Sequence, residues 1–253
     1  MTTMTESLIA LFESWGISKA ANQVQFLMGS TIPFAIWETL YATALATLFA
    51  YIIGLPLGVI LVTGEAGGIR PLPSPLMKVI NVVVNLLRSV PFLILMVMCF
   101  PLARIIIGTS IGTTACVVSL TIAAAPFVAR LVEASLREMD RGVIEAAQAM
   151  GCSPWQIVYK VMLPECRPSL ISGFTTAAIT ILSYSAMAGA IGGGGLGAMA
   201  LLRGYGRQEI IVLYVAVIFL VILVQIVQSI GTALSVKTDR RITKTKLKRR
   251  KTK

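Results

Sequence analysis

The sequence predicts an all-α polytopic membrane protein: about five transmembrane helices and a helix-bend-helix knob that stays in water. Three observations carry this expectation. Of the 253 residues, 56% are hydrophobic and 13% charged, and mean hydropathy is +0.84, a balance that belongs to chains embedded in a bilayer. The apolar residues gather into long runs, each near the roughly 20 residues that cross a hydrocarbon core about 30 Å thick. The third observation is the stretch 140–164, the most polar long interruption, punctuated as two short helices joined at a bend.

Taken in order, residues 1–35 carry Glu6, Glu13 and Lys19 among apolar residues. The run 7–12 is too short to span and no basic region precedes it. The segment therefore reads as a surface-lying or frayed helix on the outer side, not a cleaved signal peptide. Residues 36–236 form the transmembrane domain. Its first span, 39–62, contains Gly54 and Pro56, which neighbouring helices tolerate by satisfying the freed backbone groups. A short loop with Gly67, Gly68, Pro71, Pro73 and Pro75 leads to the second span, 76–100. That span holds Arg88, a charge that costs at least about 2.5 kcal/mol unless it finds a partner, a cavity or a route to the interface. Carbonyls freed by Pro91 could receive it. The third span, 112–132, ends beside Arg130 and Glu133, which at i, i+3 can pair on one helix face. The fourth, 170–191, is rich in small residues, and the fifth, 210–234, is the most apolar. The tail 237–253 is polar, highly charged and expected to be disordered.

Within the knob, Asp140 can cap a helix starting at Arg141, its carboxylate accepting first-turn amides. Gly151 stands where a left-handed helix stop costs least. Ser153, Pro154 and Gln156 then make a capping-box start, and Pro164 is expected to limit the second helix.

Charge decides orientation. Net charge is +11, but ten of the 22 Lys and Arg lie in the last 17 residues. With the knob and tail inside, the loops 63–78 and 137–167 and the tail hold two, four and ten cations, against Lys19, Arg104, Arg203 and Arg207 outside. The excess inside places the C-terminus in the cytoplasm and the N-terminus outside. The tail's cations could attract anionic lipid or serve only topology and solubility.

The chemistry of the chain excludes several functions. There is no histidine, and Cys99, Cys116, Cys152 and Cys166 show no metal-ligand spacing; no metal and no cofactor are expected. The knob pair of cysteines would face a reducing cytoplasm, which argues against a disulfide. No GxxxxGK[ST] motif is present, so ATP is not hydrolysed by the chain in that way. The spans lack Asp or Glu near their middles and no internal repeat is evident, in contrast to transporters that move substrate unaided. A membrane enzyme is disfavoured for the same reasons, an autonomous secondary transporter or channel remains a rival, and no nucleic acid is expected to bind.

Glu145-Ala146-Ala147, then Gly151, then Val161-Met162-Leu163-Pro164 resembles the EAA loop of ABC importer permeases. Six of seven fixed positions match over 20 residues, Val161 replacing Ile. The stretches 87–92, 123–130 and 183–192 resemble the methionine importer branch in particular. The likeness runs from about Trp37 to Val236. It implies a type I importer permease in the bacterial cytoplasmic membrane, two copies of which form the translocation pathway. It also implies two ATP-binding cassette subunits that bind ATP, a substrate-binding lipoprotein outside, and methionine or a related small solute as cargo. In this reading Glu145, Ala146, Ala147, Gly151, Leu163 and Pro164 couple the permease to the ATPase. The glycine-rich segment 187–197 is either a flexible gate where two copies meet or plain helix packing at the outer end of span four. Met187 is the leading candidate to line that pathway or gate, with Tyr184 and Ser185 behind it; core packing is the alternative for Met187. An ordinary solvated loop or a DNA-reading helix-turn-helix are the other readings of the knob, and the flanking spans hold it at the bilayer.

Overall fold

A row of small residues decides how the first two long helices meet. Helix α1 (Ile32–Thr63) buries Ala42, Ala46, Ala50, Gly54 and Gly58 at four-residue spacing, which puts them on one face. That face lies on α5 (Thr113–Arg137) so closely that a Cβ on Gly54 would stand 2.6 Å from Val128 Cγ1, and one on Gly58 2.6 Å from the carbonyl of Ala129. Small residues allow this approach, and dispersion rather than hydrophobic expulsion holds helices together in lipid. Pro56 lies inside α1 without ending it.

The computed structural model describes residues 31–239, and every regular element among them is helical. Expectations for residues 1–30 and 240–253 lie outside the described residues. Four helices are long and apolar enough to cross a membrane: α1, α5, α9 (Arg167–Gly189) and α11 (Ile210–Thr238). A fifth passage is available only from a bent pair, α2 (Ser74–Ser89) and α3 (Phe92–Met98), which meet at 108°. The stretch 76–100, expected as the second span, is divided by this sharp elbow. Val90 precedes Pro91 and is extended at φ −75°, ψ 131°, because the proline ring excludes the helical region for the residue before it. After Cys99 the helix resumes as α4 (Phe100–Ile107), closed by Gly108 in the left-handed region at φ +87°.

Helix α5 is the hub. It packs against α1, α2, α3, α4 and α9, and most of its residues are buried. Helix α11 leans on α9 at Gly231, where a Cβ would lie 2.0 Å from Thr175 Oγ1. Its other side exposes Val217, Ile218, Val221, Ile222 and Ile226, the surface expected of a helix facing acyl chains. Helix α1 likewise exposes Phe34, Trp37, Leu48, Phe49, Ile52 and Ile53.

The knob is α6 (Arg141–Ala149) followed by a return helix. That return comprises α7 (Pro154–Gln156), a π-helical stretch Ile157–Met162 and α8 (Leu163–Glu165). Pro164 does not stop the return helix where its position suggested; the chain stays helical to Glu165 and breaks at Cys166. A proline inside a helix loses one amide donor and crowds the carbonyl four residues back. The π turn widens the backbone just before it, the amide of Leu163 reaching back five residues to the carbonyl of Val158. Buried Ala147, Ile157, Val158 and Met162 of the knob belong to the same apolar cluster as Val128, Val132 and Leu136 of α5. The knob is thus an extension of the membrane core.

Candidate functional site

The knob forms from local signals. The Asp140 carboxylate accepts the amide of Gly142 at 2.9 Å. Ser153 and Gln156 form a reciprocal capping box, the Ser153 amide donating to Gln156 Oε1 at 2.8 Å and the Gln156 amide to Ser153 Oγ at 3.4 Å. Gly151 lies at φ +77°, and a Cβ there would meet nothing within 4 Å. Conformation, not space, therefore demands glycine at the bend.

The six knob residues expected to couple to an ATPase divide by burial. Ala147 is 2% exposed and packs inward, so it sets how closely α6 lies on the return helix. Ala146 is exposed, as is Glu145, and among the described residues Glu145 makes no hydrogen bond to the knob's own backbone. It borders a cleft of about 300 Å³ shared with Glu65, Arg137 and Arg141. Leu163 and Pro164 are half-buried at the return to α9, with Leu163 against the core cluster. Sequence reasoning passed over three large exposed side chains here: Met150 at 76%, Trp155 at 71% and Tyr159 at 72% exposure. Large apolar and aromatic side chains exposed outside the spans are the kind of group that protein contacts bury. The signal was a Met and two aromatics within the most polar interruption between the apolar runs.

A chain of polar groups ties the base of the knob to the spans. Arg130 pairs with Glu133 and donates to Asn81 Oδ1 at 3.0 Å and Asn85 Oδ1 at 2.8 Å on α2. Arg137 pairs with Glu133 at 2.9 Å and with Glu65 in the loop after α1. Arg88 is exposed in the last turn of α2, just before the 108° elbow, and forms no ion pair among the described residues. One carbonyl of that turn, that of Asn85, is already taken by Ser89 Oγ at 2.8 Å.

The pathway candidates on α9 separate. Met187 is 47% exposed. Tyr184 is half-buried and stacks on Phe92, the first residue after the elbow, at 3.6 Å between ring centroids and 11° between planes. Ser185 is buried and donates to the carbonyl of Leu182 at 2.7 Å. On the face with Met187 stand Ser172, Thr176 and Ser183, exposed, and Thr180 between them. Their spacing of four, four, three and four residues aligns them along the helix. Thr176, Thr180 and Ser183 donate to carbonyls four residues back at 3.0, 2.8 and 3.1 Å.

The glycine-rich segment is tightly built. A Cβ on Gly189 would lie 2.1 Å from the amide nitrogen of Ala198, and one on Gly197 2.4 Å from Ala186 Cα. The end of α9 and α10 (Gly195–Ala198) touch backbone to backbone. Helix packing, rather than slackness, accounts for these two glycines.

Known proteins share this architecture. Over 207 residues the chain is 50% identical to the probable D-methionine transport system permease protein MetI of Vibrio cholerae, covering 82% of this chain and 92% of that protein. It is 47% identical over 154 residues to the D-methionine transport system permease protein MetI of Escherichia coli K12, covering 61% and 70%. A solved chain of the MetNI methionine ABC transporter, in an inward-facing conformation, superimposes with a TM-score of 0.82 at 43% identity, over 84% of this chain and 98% of that one. Residues 54–243 match the family described as binding-protein-dependent transport system inner membrane component. The match takes in α5, the knob, the hydroxyl-bearing face of α9 and the glycine turn, and the chain belongs to that family of multi-pass inner-membrane permeases.

Proposed function

We propose that this chain is the membrane-spanning subunit of a methionine importer, acting as a homodimer driven by two ATP-binding cassette subunits. A single observation carries the reading: the knob is an outward continuation of the core around α5, capped by exposed apolar side chains. A partner that grips such a handle moves the membrane helices with it, because packed cores switch between discrete arrangements instead of deforming. The relatives' names and the MetNI likeness support methionine as cargo and an ATPase as partner. ATP is bound by that partner, and an extracytoplasmic binding protein delivers the substrate.

The pathway runs between two copies, along the face of α9 that carries Thr176, Thr180, Ser183 and Met187. Hydroxyls and a thioether on an exposed span face suit a pathway better than lipid, and α1 and residues 210–224 of α11 present aliphatic and aromatic groups instead. Met187 and the stacked Tyr184 flank the outer part of this route, while Ser185 supports it from inside the bundle. The N-terminus lies outside and the C-terminus in the cytoplasm, as the cation count favours.

Reconstitution tests the whole reading. In proteoliposomes the chain with its ATPase subunits and binding protein should accumulate methionine only when ATP is enclosed with the knob side. Accumulation by the chain alone would overturn it.

A further inference from the structure

We propose that Glu38 and Thr39, near the outer end of α1, are positioning residues that make the glycine turn after α9 move as one body with α1 and α5. This rests on the reading of residues 187–197 as the gate.

Glu38 is a carboxylate in an apolar helix, and both its oxygens are engaged by distant parts of the chain. Thr113 Oγ1, in the first turn of α5, donates to Oε1 at 2.8 Å, and the amide of Gly195 donates to Oε2 at 2.8 Å. The next residue on α1, Thr39, accepts the amide of Leu196 at 2.9 Å. These amides open the helix that runs from α10 into the π-helical stretch Met199–Tyr205. A helix start has unpaired donors that want a side-chain oxygen, and its positive end favours a carboxylate. Here the cap residue is Gly194, which has no side chain, so α1 supplies the oxygens from 157 residues away.

The fit is tight from both sides. A Cβ on Gly194 would lie 2.7 Å from Thr113 Oγ1 and 3.0 Å from Glu38 Oε2, and one on Gly195 2.5 Å from Thr39 Oγ1. Both glycines also need positive φ, at +73° and +71°. The amide of Gly112 adds a fourth tie, to the carbonyl of Gly192 at 3.0 Å.

The consequence is mechanical. Helix α5 begins at this clamp and ends at the base of the knob, and α1 lies along it. A displacement of the knob passes through α5 to the turn beside Met187 only while the clamp holds. Without it the turn keeps its packing on α9 and the Gly112–Gly192 tie but loses the three side-chain ties that join it to α1 and α5. The amides of Gly195 and Leu196 then lose their acceptors, which is the expensive half of a hydrogen-bond deletion.

The test uses the complete transporter, chain plus ATPase subunits, in proteoliposomes. Met187→Cys is labelled from outside with a membrane-impermeant maleimide, with and without bound ATP, against the Met187 parent as background. With Glu38 present, ATP should change the labelling rate at least about fivefold, the lower end of usual coupling between linked sites. No change would remove the gate reading, and this assignment with it. Adding Glu38→Ala should reduce the ATP effect to below about twofold, whereas Glu38→Gln, which can accept from Gly195 and donate to Thr113, should keep it. An intact ATP response in assembled Glu38→Ala complexes would overturn the clamp while leaving the gate standing. Should Glu38→Ala fail to assemble, Thr39→Val decides on the same readout: a reduced response supports the clamp and an unchanged one overturns it.

Discussion

Gly151 shows how one backbone angle fixes the bend of the knob. Its φ of +77° is forbidden to proline and strained for alanine, yet the space around it is empty. An L-residue held in that region costs roughly 1–2 kcal/mol. Gly151→Asn, which tolerates the left-handed region, should therefore keep most ATP-dependent uptake, and Gly151→Pro should abolish it while membrane insertion persists. Uptake assays beside a membrane-fraction blot check this, and full uptake by the proline variant would remove the bend from the coupling mechanism. Ala146 and Ala147 teach a related lesson. Adjacent and chemically identical, they do different jobs because only Ala147 faces the return helix.

Among the elements, α5 is distinguished by the polar chain on its last turns. Exposed ion pairs contribute about 0–1 kcal/mol, and the Glu65–Arg137 pair has both side chains more than 40% exposed. Glu133 differs: its side chain is 9% exposed and it serves both Arg130 and Arg137. Removing one partner of a fully buried pair costs about 3–5 kcal/mol. Loss of Glu133 costs less than that, because Arg137 keeps Glu65 and Arg130 keeps Asn81 and Asn85, but more than loss of the exposed Glu65. Glu133→Ala should lower the thermal unfolding midpoint in detergent well below that of Glu65→Ala. Equal midpoints would show that Asn81 and Asn85 alone satisfy Arg130. The elbow between α2 and α3 is a separate case: a proline that merely bends some helices here divides a span, and the Phe92–Tyr184 stack holds the far side of the break against α9.

At the scale of the whole molecule, the surface has two kinds of span face. Those of α1 and of residues 210–224 of α11 are aliphatic and aromatic; that of α9 carries a row of hydroxyls. Ser183→Leu should reduce uptake several-fold in assembled transporter, since a bulky apolar group in a polar passage removes a contact and adds a barrier, whereas Ile218→Leu on α11 should change nothing beyond about 0.5 kcal/mol of stability. Substrate flux per assembled complex is the measurement. Equal flux in both variants would move the pathway off α9.

Much of this was legible from residue order because it is local. Spans follow from run length, the knob from Asp140, Gly151 and the Ser153 box, and the Arg130–Glu133 pair from helical spacing. Such features need only neighbours within a turn or two. What the chain's order could not disclose depends on partners far along it: that Ala147 faces inward, that Pro164 is absorbed by a π turn, and that α2 and α3 part at 108°. The polar face of α9 was written in its sequence but had no meaning until burial showed which side was free. Glu38 is the extreme case, since its donors lie 75 and 157 residues away. Sequence patterns record what a helix can bury, and only packing decides against what.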